Sequence, residues 1–246
     1  MCGICGIFNY GSHEPVGTDL LQAMNDTLRH RGPNDEGCYT DGNIGLAMRR
    51  LSIIDIGGGK QPIHNEDRTI WIVFNGEIFN YPELKRNLVR KGHTFYTHSD
   101  TETIVHLYEE HGDDCVNFLR GMFAFALWDG PSRTLLLARD RVGIKPLFYS
   151  DTGKGELLFA SEPKALLASP KVSRDMDLQG LDAYFAYGYI PAPLSIYKSI
   201  RKLPAGHVMK IGQSGSSIRK YWDLYFRPEH GKPESYFEGK FEEIFS

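Results

Sequence analysis

The chain predicts one large mixed domain, α/β or layered α+β, and three observations carry that expectation. Its 246 residues are too many for one small domain and normal for one large one. A hydrophobic content of 41% beside 24% charged residues is ordinary globular composition and ample for a core. The pattern along the chain is strand-heavy, with short β-branched or aromatic runs between turn residues and amphipathic helical stretches among them.

The opening Met1-Cys2-Gly3-Ile4-Cys5-Gly6-Ile7-Phe8 reads as a buried strand, in which Ile4, Ile7 and Phe8 would hold the terminus still. Thr18-Asp19-Leu20-Leu21 opens a helix with a polar cap, and Leu20, Leu21, Met24 and Leu28 recur at helical spacing. Gly32 and Pro33 stop it, leaving Arg29, His30 and Arg31 either in a solvated turn or as a brace beside a site. Strands are expected around Gly37–Thr40 and Asn43–Ile54, with a break at Gly57-Gly58-Gly59. Thr69–Phe74 is a β-branched and aromatic strand that runs into Asn75-Gly76, itself a turn signal.

Two amphipathic helices follow, near Pro82–Lys91 and Thr101–Glu110. The second is introduced by the N-cap pattern Ser99-Asp100-Thr101-Glu102, so Asp100 alone reads as no more than a cap. From Gly121 the period changes. Gly121–Trp128 and Arg133–Ala138 form one hairpin, Leu147–Ser150 and Leu157–Ser161 another, and His207–Ile211 with Ser217–Trp222 a third. Helices are expected at Pro163–Leu167 and Leu178–Tyr187. Beyond Asp223, Tyr225–Pro233 reads as a linker. Ser235–Phe245 then has apolar residues at helical spacing and little chain to pack on, as the first helix of a following domain would. Repeats, low-complexity tracts, phosphate loops and dinucleotide fingerprints are absent from the sequence.

Cys2 is the residue with the most chemistry in its context. Released from Met1, it would carry a thiol and a free α-amine on one carbon. An α-amine titrates at about 7.7–8.0, against about 10.4 for lysine. Near neutral pH it can therefore take the thiol's proton, directly or through a water, and the thiolate is the reactive form. If Met1 stays attached, that nitrogen is in a peptide bond and the base is gone. The plainer reading of these residues alone is an inert cysteine.

The C-x-x-C spacing of Cys2 and Cys5 lacks the second pair that zinc would want, since Cys38 and Cys115 stand far apart. A redox pair would follow a strand inside a βαβ unit. An odd separation puts the two side chains on opposite faces of a regular strand, so Cys5 reads as a core residue and no metal ligands are assigned. The net charge of −3 gives no electrostatic case for nucleic acid or an anionic membrane. No apolar run approaches the ~20 residues of a membrane span. Without a secretory leader the four cysteines read as thiols of a cytoplasmic protein.

Taken in order, Cys2-Gly3-Ile4, Arg29-His30-Arg31-Gly32-Pro33, Arg50-Leu51-Ser52-Ile53, Asn75-Gly76-Glu77-Ile78, Ser99-Asp100, Gly121-Met122-Phe123-Ala124-Phe125, Arg139-Asp140, Gly143, Pro146-Leu147 and Ala160-Ser161-Glu162 form one series. It resembles the glutaminase domain of glutamine-hydrolysing asparagine synthetases, within the N-terminal-nucleophile (class II) glutamine amidotransferases. The resemblance is dense to about Leu167. It thins to Gly188-Tyr189-Ile190-Pro191, Leu203-Pro204-Ala205-Gly206-His207 and Tyr221-Trp222-Asp223.

The resemblance implies an α+β fold, a four-layer αββα sandwich of two antiparallel sheets with helices outside. It implies a glutaminase domain over residues 1–224, and a linker with the first helix of a synthetase domain over residues 225–246. Cys2 would attack the glutamine side-chain amide, with the Asn75 amide and the Gly76 N–H as oxyanion hole. Arg50 would grip the α-carboxylate with its planar fork. Asp100, helped by Glu77, would hold the α-ammonium, and Ile53 is a further substrate-binding candidate. Arg31 and its loop would brace the nucleophile.

The family usually has Asp at the position of Asn34 and Tyr at that of Phe79. Partners implied are L-glutamine, a synthetase domain in cis and, as an open option, a second copy in a homodimer. The Ser-Gly-Gly-x-Asp-Ser phosphate loop of asparagine synthetases has no counterpart here, so no cofactor is expected in this chain; ATP and Mg²⁺ would belong to the synthetase domain. Two other readings stand beside this one: the same domain serving a different acceptor, such as a sugar or polysaccharide precursor, and a non-catalytic dimerisation or regulatory module.

Overall fold

The computed structural model describes residues 1–51 and 58–245. Its first strand, β1 (Gly3–Phe8), lies inside a six-stranded antiparallel sheet, between β3 (Ile44–Arg50) and β9 (Leu157–Ala160). That sheet is completed by β2 (Asp35–Asp41) beyond β3, and by β8 (Phe148–Asp151) and β10 (Arg201–Lys202) beyond β9. The second antiparallel sheet runs β12 (Gly215–Lys220), β11 (His207–Gly212), β7 (Thr134–Arg139), β6 (Gly121–Asp129), β5 (Ile70–Ile78) and β4 (Ile63–His64).

Alternation along the strands sorts their apolar residues into three layers of core. Ile4 and Phe8 of β1, Leu46 and Met48 of β3 and Phe159 of β9 meet Val73, Ala126, Trp128 and Leu137 of the other sheet. Cys5, Ile7, Ala47 and Leu158 point the opposite way, against Leu21 and Met24 of α1 (Thr18–Asp26) and Ala165 and Leu166 of α4 (Pro163–Leu166). On the far side Ile72, Phe74, Phe123 and Phe125 pack on Leu88 of α2 (Tyr81–Arg90) and on Ile104, Val105 and Tyr108 of α3 (Asp100–His111). The order is helices, sheet, sheet, helices: the expected four-layer α+β sandwich. Each fully buried aliphatic or aromatic side chain contributes roughly 1.5–3 kcal/mol, so a change of register in β1 would be costly.

Several local expectations are corrected. The Asn75-Gly76 turn signal is overridden: β5 continues through both residues to Ile78, held by β6 in unbroken register from Ile70↔Asp129 to Ile78↔Gly121. A β-carbon at Gly76 would sit 2.2 Å from the Met122 carbonyl oxygen, so the glycine allows close strand packing here. α1 has Gly17 at its N-cap and no side-chain cap, in place of the polar cap expected at Thr18-Asp19. The cap of α3 is Ser99, which accepts from the Thr101 N–H, so Asp100 is free of capping duty. The strand expected over Asn43–Ile54 is described as far as Arg50; Ile53 and the start of the glycine break lie outside the described residues.

Two helices show a different environment. α5 (Leu178–Tyr187) buries only Gly180 and exposes Leu178, Phe185 and Tyr187, and α6 (Glu234–Phe245) buries none of its residues. Among the described residues no helix is long and apolar enough to cross a membrane.

Candidate active site

The cleft is walled by the chain start before β1, the end of β3, the end of β5 and the start of α3. It measures about 580 Å³ with its solvent-open mouth, and Cys2, Arg50, Leu51, Asn75, Gly76, Glu77, Asp100 and Lys145 are among its walls. Pairing on both sides of β1 fixes Cys2 just outside the strand, its side chain packed on the inter-sheet core. The Leu51 N–H donates to the Cys2 Sγ at 3.3 Å, and the Leu51 carbonyl is 3.6 Å from the same sulfur. Cys5 points into the helix-side core, fully buried, and burial pushes its thiol far above the ordinary range. The C-x-x-C pair is thus split between two faces, and all four cysteines are free.

The turn after α1 reaches the backbone of Cys2. Arg31 Nε donates to the Cys2 carbonyl at 2.9 Å, and its Nη1 donates to Glu162 Oε1 at 2.9 Å. The adjacent Gly32 lies so close to β3 that a β-carbon there would be 2.3 Å from the Arg49 carbonyl. Asn34 donates its N–H to the Arg50 carbonyl at 3.1 Å and Phe79 is exposed; neither is among the residues that wall the cleft.

β3 ends in two arginines with opposite duties. Arg49 faces α1, paired with Asp26 and, at 2.6 Å, with Glu36 Oε2. Arg50, one residue on, is 5% exposed and lines the cleft.

β5 supplies the facing wall. Asn75 and Glu77 lie on the inter-sheet side, in step with Val73, and the Asn75 side-chain nitrogen is buried without a hydrogen-bond partner among the described residues. On the strand's open edge the Phe74 N–H donates to Gln61 Oε1 at 2.7 Å and the Ile78 N–H to Asp100 Oδ2 at 2.8 Å. By the two-residue period the Gly76 N–H points out between these two. Two donors, one backbone and one side-chain, therefore converge on the cleft.

Asp100 is 4% exposed. Burial raises its carboxyl above the usual range, against the Ile78 N–H and with the negative charge of Glu77 adding to the rise. A cation in the cleft beside these two carboxylates would relieve that strain.

Three wall residues escaped the sequence reading. Gln61 holds the β5 edge and also reaches Thr101 Oγ1 at 3.4 Å, and Met122 lines the floor. Lys145 is 6% exposed, its Nζ 3.3 Å from Met1 Sδ, which places a cation beside the chain start. None of the three carries a local motif that separates it from ordinary core or surface residues. Ile53 lies outside the described residues.

The arrangement offers a sulfur nucleophile, two donors for a developing oxyanion, and cationic and anionic groups for a zwitterion. Comparison with known proteins gives the family of the chain. The glutamine amidotransferase domain family matches residues 1–222. Asparagine synthetase [glutamine-hydrolyzing] 1 of Bacillus subtilis is 39% identical over 233 residues, 93% of this chain and 36% of that protein. A putative asparagine synthetase [glutamine-hydrolyzing] 2 of Methanocaldococcus jannaschii is 37% identical across 98% of this chain and 50% of its own length. The chain thus spans a third to a half of such relatives. The solved glutamine phosphoribosylpyrophosphate amidotransferase of B. subtilis aligns over 90% of the chain with a TM-score of 0.64 at 19% identity, a likeness of fold. The chain belongs to the glutamine amidotransferase domains, of the class II N-terminal-nucleophile type and closely related to those of glutamine-hydrolysing asparagine synthetases.

Proposed function

We propose that this chain hydrolyses L-glutamine to glutamate and ammonia through Cys2, as the glutaminase part of an asparagine synthetase. The observation that carries the reading is the placement of Cys2 Sγ, under the Leu51 N–H, in one cleft with Arg50, Asn75 and Asp100. With Met1 removed, the Cys2 α-amine takes the thiol proton and the sulfur attacks the side-chain carbonyl carbon. The S–C bond forms, and the oxyanion is met by the Asn75 amide and the Gly76 N–H. Collapse breaks the C–N bond, and the proton held by the α-amine goes to the leaving ammonia. Water then hydrolyses the γ-glutamyl thioester. Arg50 binds the substrate α-carboxylate, Asp100 with Glu77 the α-ammonium, and Ile53 belongs to the same binding set.

Residues 1–224 form the glutaminase domain, and 225–246 lead into a synthetase domain that activates aspartate with ATP and Mg²⁺ and receives the ammonia. Exposure of Phe185, Tyr187, Tyr189, Tyr225 and Phe226 supports a covering partner of that kind, since exposed aromatics in number mark interaction surfaces. Free thiols on all four cysteines suit a reducing cytoplasm. The test is a glutaminase assay of wild type and Cys2→Ala, with the circular dichroism of both compared. Loss of ammonia release with the fold intact supports the assignment; undiminished release from Cys2→Ala ends it.

A further inference from the structure

Farther along α3, away from Asp100, the chain gathers four side chains that glutamine hydrolysis does not use. Glu66 comes from the β4–β5 connection, His93 from the α2–α3 connection, and His106 and Glu109 from α3. One ligand atom from each lies within 4.8 Å of all the others. Glu109 Oε2 is 2.7 Å from His106 Nδ1 and 3.5 Å from His93 Nδ1. The Glu66 carboxylate is 3.7 Å from His106 Nδ1 and 4.0 Å from His93 Nδ1. Metal–ligand bonds of about 2.0–2.2 Å in a tetrahedron place neighbouring donors roughly 3.3–3.6 Å apart. The present spacings, from 2.7 Å to at most 4.8 Å, bracket that range, and side-chain shifts of about 1 Å close this quartet around one ion.

The outer partners point the same way. Metal-bound imidazoles present one nitrogen to the ion and donate the other N–H to a carboxylate or carbonyl. Here both rings turn Nδ1 inward, while His93 Nε2 is 3.1 Å from Glu110 Oε1 and His106 Nε2 faces Glu102 Oε1 at 3.6 Å. His106 is wholly buried, and its Nε2 has no hydrogen-bond partner among the described residues. Metal at Nδ1 displaces the proton shared with Glu109 and leaves Nε2 as the N–H, aimed at a carboxylate. The carboxylates are anchored too: Glu109 Oε1 accepts from Asn65 Nδ2 at 2.9 Å, and Glu66 Oε1, the oxygen nearer His93, accepts from the Thr94 N–H at 2.8 Å, which leaves Oε2 toward His106. Glu66 is half-exposed and leaves an entry path for an ion.

We propose that Glu66, His93, His106 and Glu109 form a structural divalent-metal site suited to zinc, tying both connections to the helix that presents Asp100. Two imidazoles and two carboxylates are a borderline donor set that Zn²⁺ accepts in four-coordination, with no position open for catalysis.

The test uses the full chain in a Cys2→Ala, Cys38→Ser background, which removes accessible thiols as competing ligands. After chelation and dialysis the protein is titrated with ZnCl₂ by calorimetry, and zinc is counted by mass spectrometry. One equivalent bound, with a first shell of nitrogen and oxygen by X-ray absorption and a raised Tm, is expected. His93→Ala and the more exposed Glu66→Gln should each bind at least ~10-fold more weakly, while His111→Gln binds as the parent does. Sub-stoichiometric zinc in the parent, or unchanged affinity in both ligand variants, overturns the site. Neither result depends on glutaminase activity.

Discussion

Asp100→Asn separates recognition from folding. The substitution keeps the shape and an oxygen able to accept from the Ile78 N–H, now bonded at 2.8 Å, and removes only the charge. Leaving the substrate ammonium opposite a neutral amide in a buried position costs about 2–5 kcal/mol, or roughly 30-fold to several thousand-fold in kcat/KM. Stability moves the other way. Burial holds the native carboxyl above its free value of 3.8, so the folded state binds protons more tightly than the unfolded one. Stability from this group is complete below the unfolded value and is lost as pH rises through the folded one. Asp100→Asn removes that loss, so at pH 7 the variant unfolds at the same temperature as wild type or higher. The same raised carboxyl predicts that wild-type KM for glutamine climbs on acidification at a higher pH than an ordinary aspartate would give, with that limb missing in the variant. Steady-state kinetics with glutamine from pH 5 to 8, alongside thermal melts, check both. A variant with wild-type KM, or one that melts well below wild type at pH 7, refutes the reasoning.

Asn75→Ala should lower kcat by about 10²–10³ with little change in KM, because its donor is met by the oxyanion and not by the ground state. Gly76→Ala should destabilise by about 1–3 kcal/mol or more, read in urea denaturation, since its β-carbon meets the Met122 carbonyl at 2.2 Å. Arg31→Gln frees the Cys2 carbonyl from its 2.9 Å hydrogen bond and should reduce kcat while sparing KM, and Arg31→Lys should not restore it, because two directed donors are used.

Residues whose role follows from order along the chain were the ones legible in advance. The apolar run of Ile4, Ile7 and Phe8 and the alternation within Gly121–Trp128 gave two of the strands, and the amphipathic stretches near Pro82 and Thr101 gave both helices of one outer layer. The splitting of Cys2 from Cys5 followed from strand period alone. Asn75-Gly76 was ambiguous because a turn dipeptide is a local signal, and only the long pairing with β6 decides for a strand. The two-residue strands β4 and β10 leave no period to detect. Gln61 and Lys145 reach the cleft from connections, and the Glu66, His93, His106 and Glu109 quartet is scattered over three segments with no ligand spacing. Tertiary folding alone brings such residues together.

The central claim is that Cys2, freed of Met1, carries the acyl group. Acid-quenching the protein during turnover with glutamine and weighing its N-terminal peptide tests this directly. The account predicts a peptide that begins at Cys2 and bears a γ-glutamyl group on sulfur, lost on mild base. Ammonia release from protein that retains Met1, or turnover with no adduct on Cys2 under any quench, would contradict it.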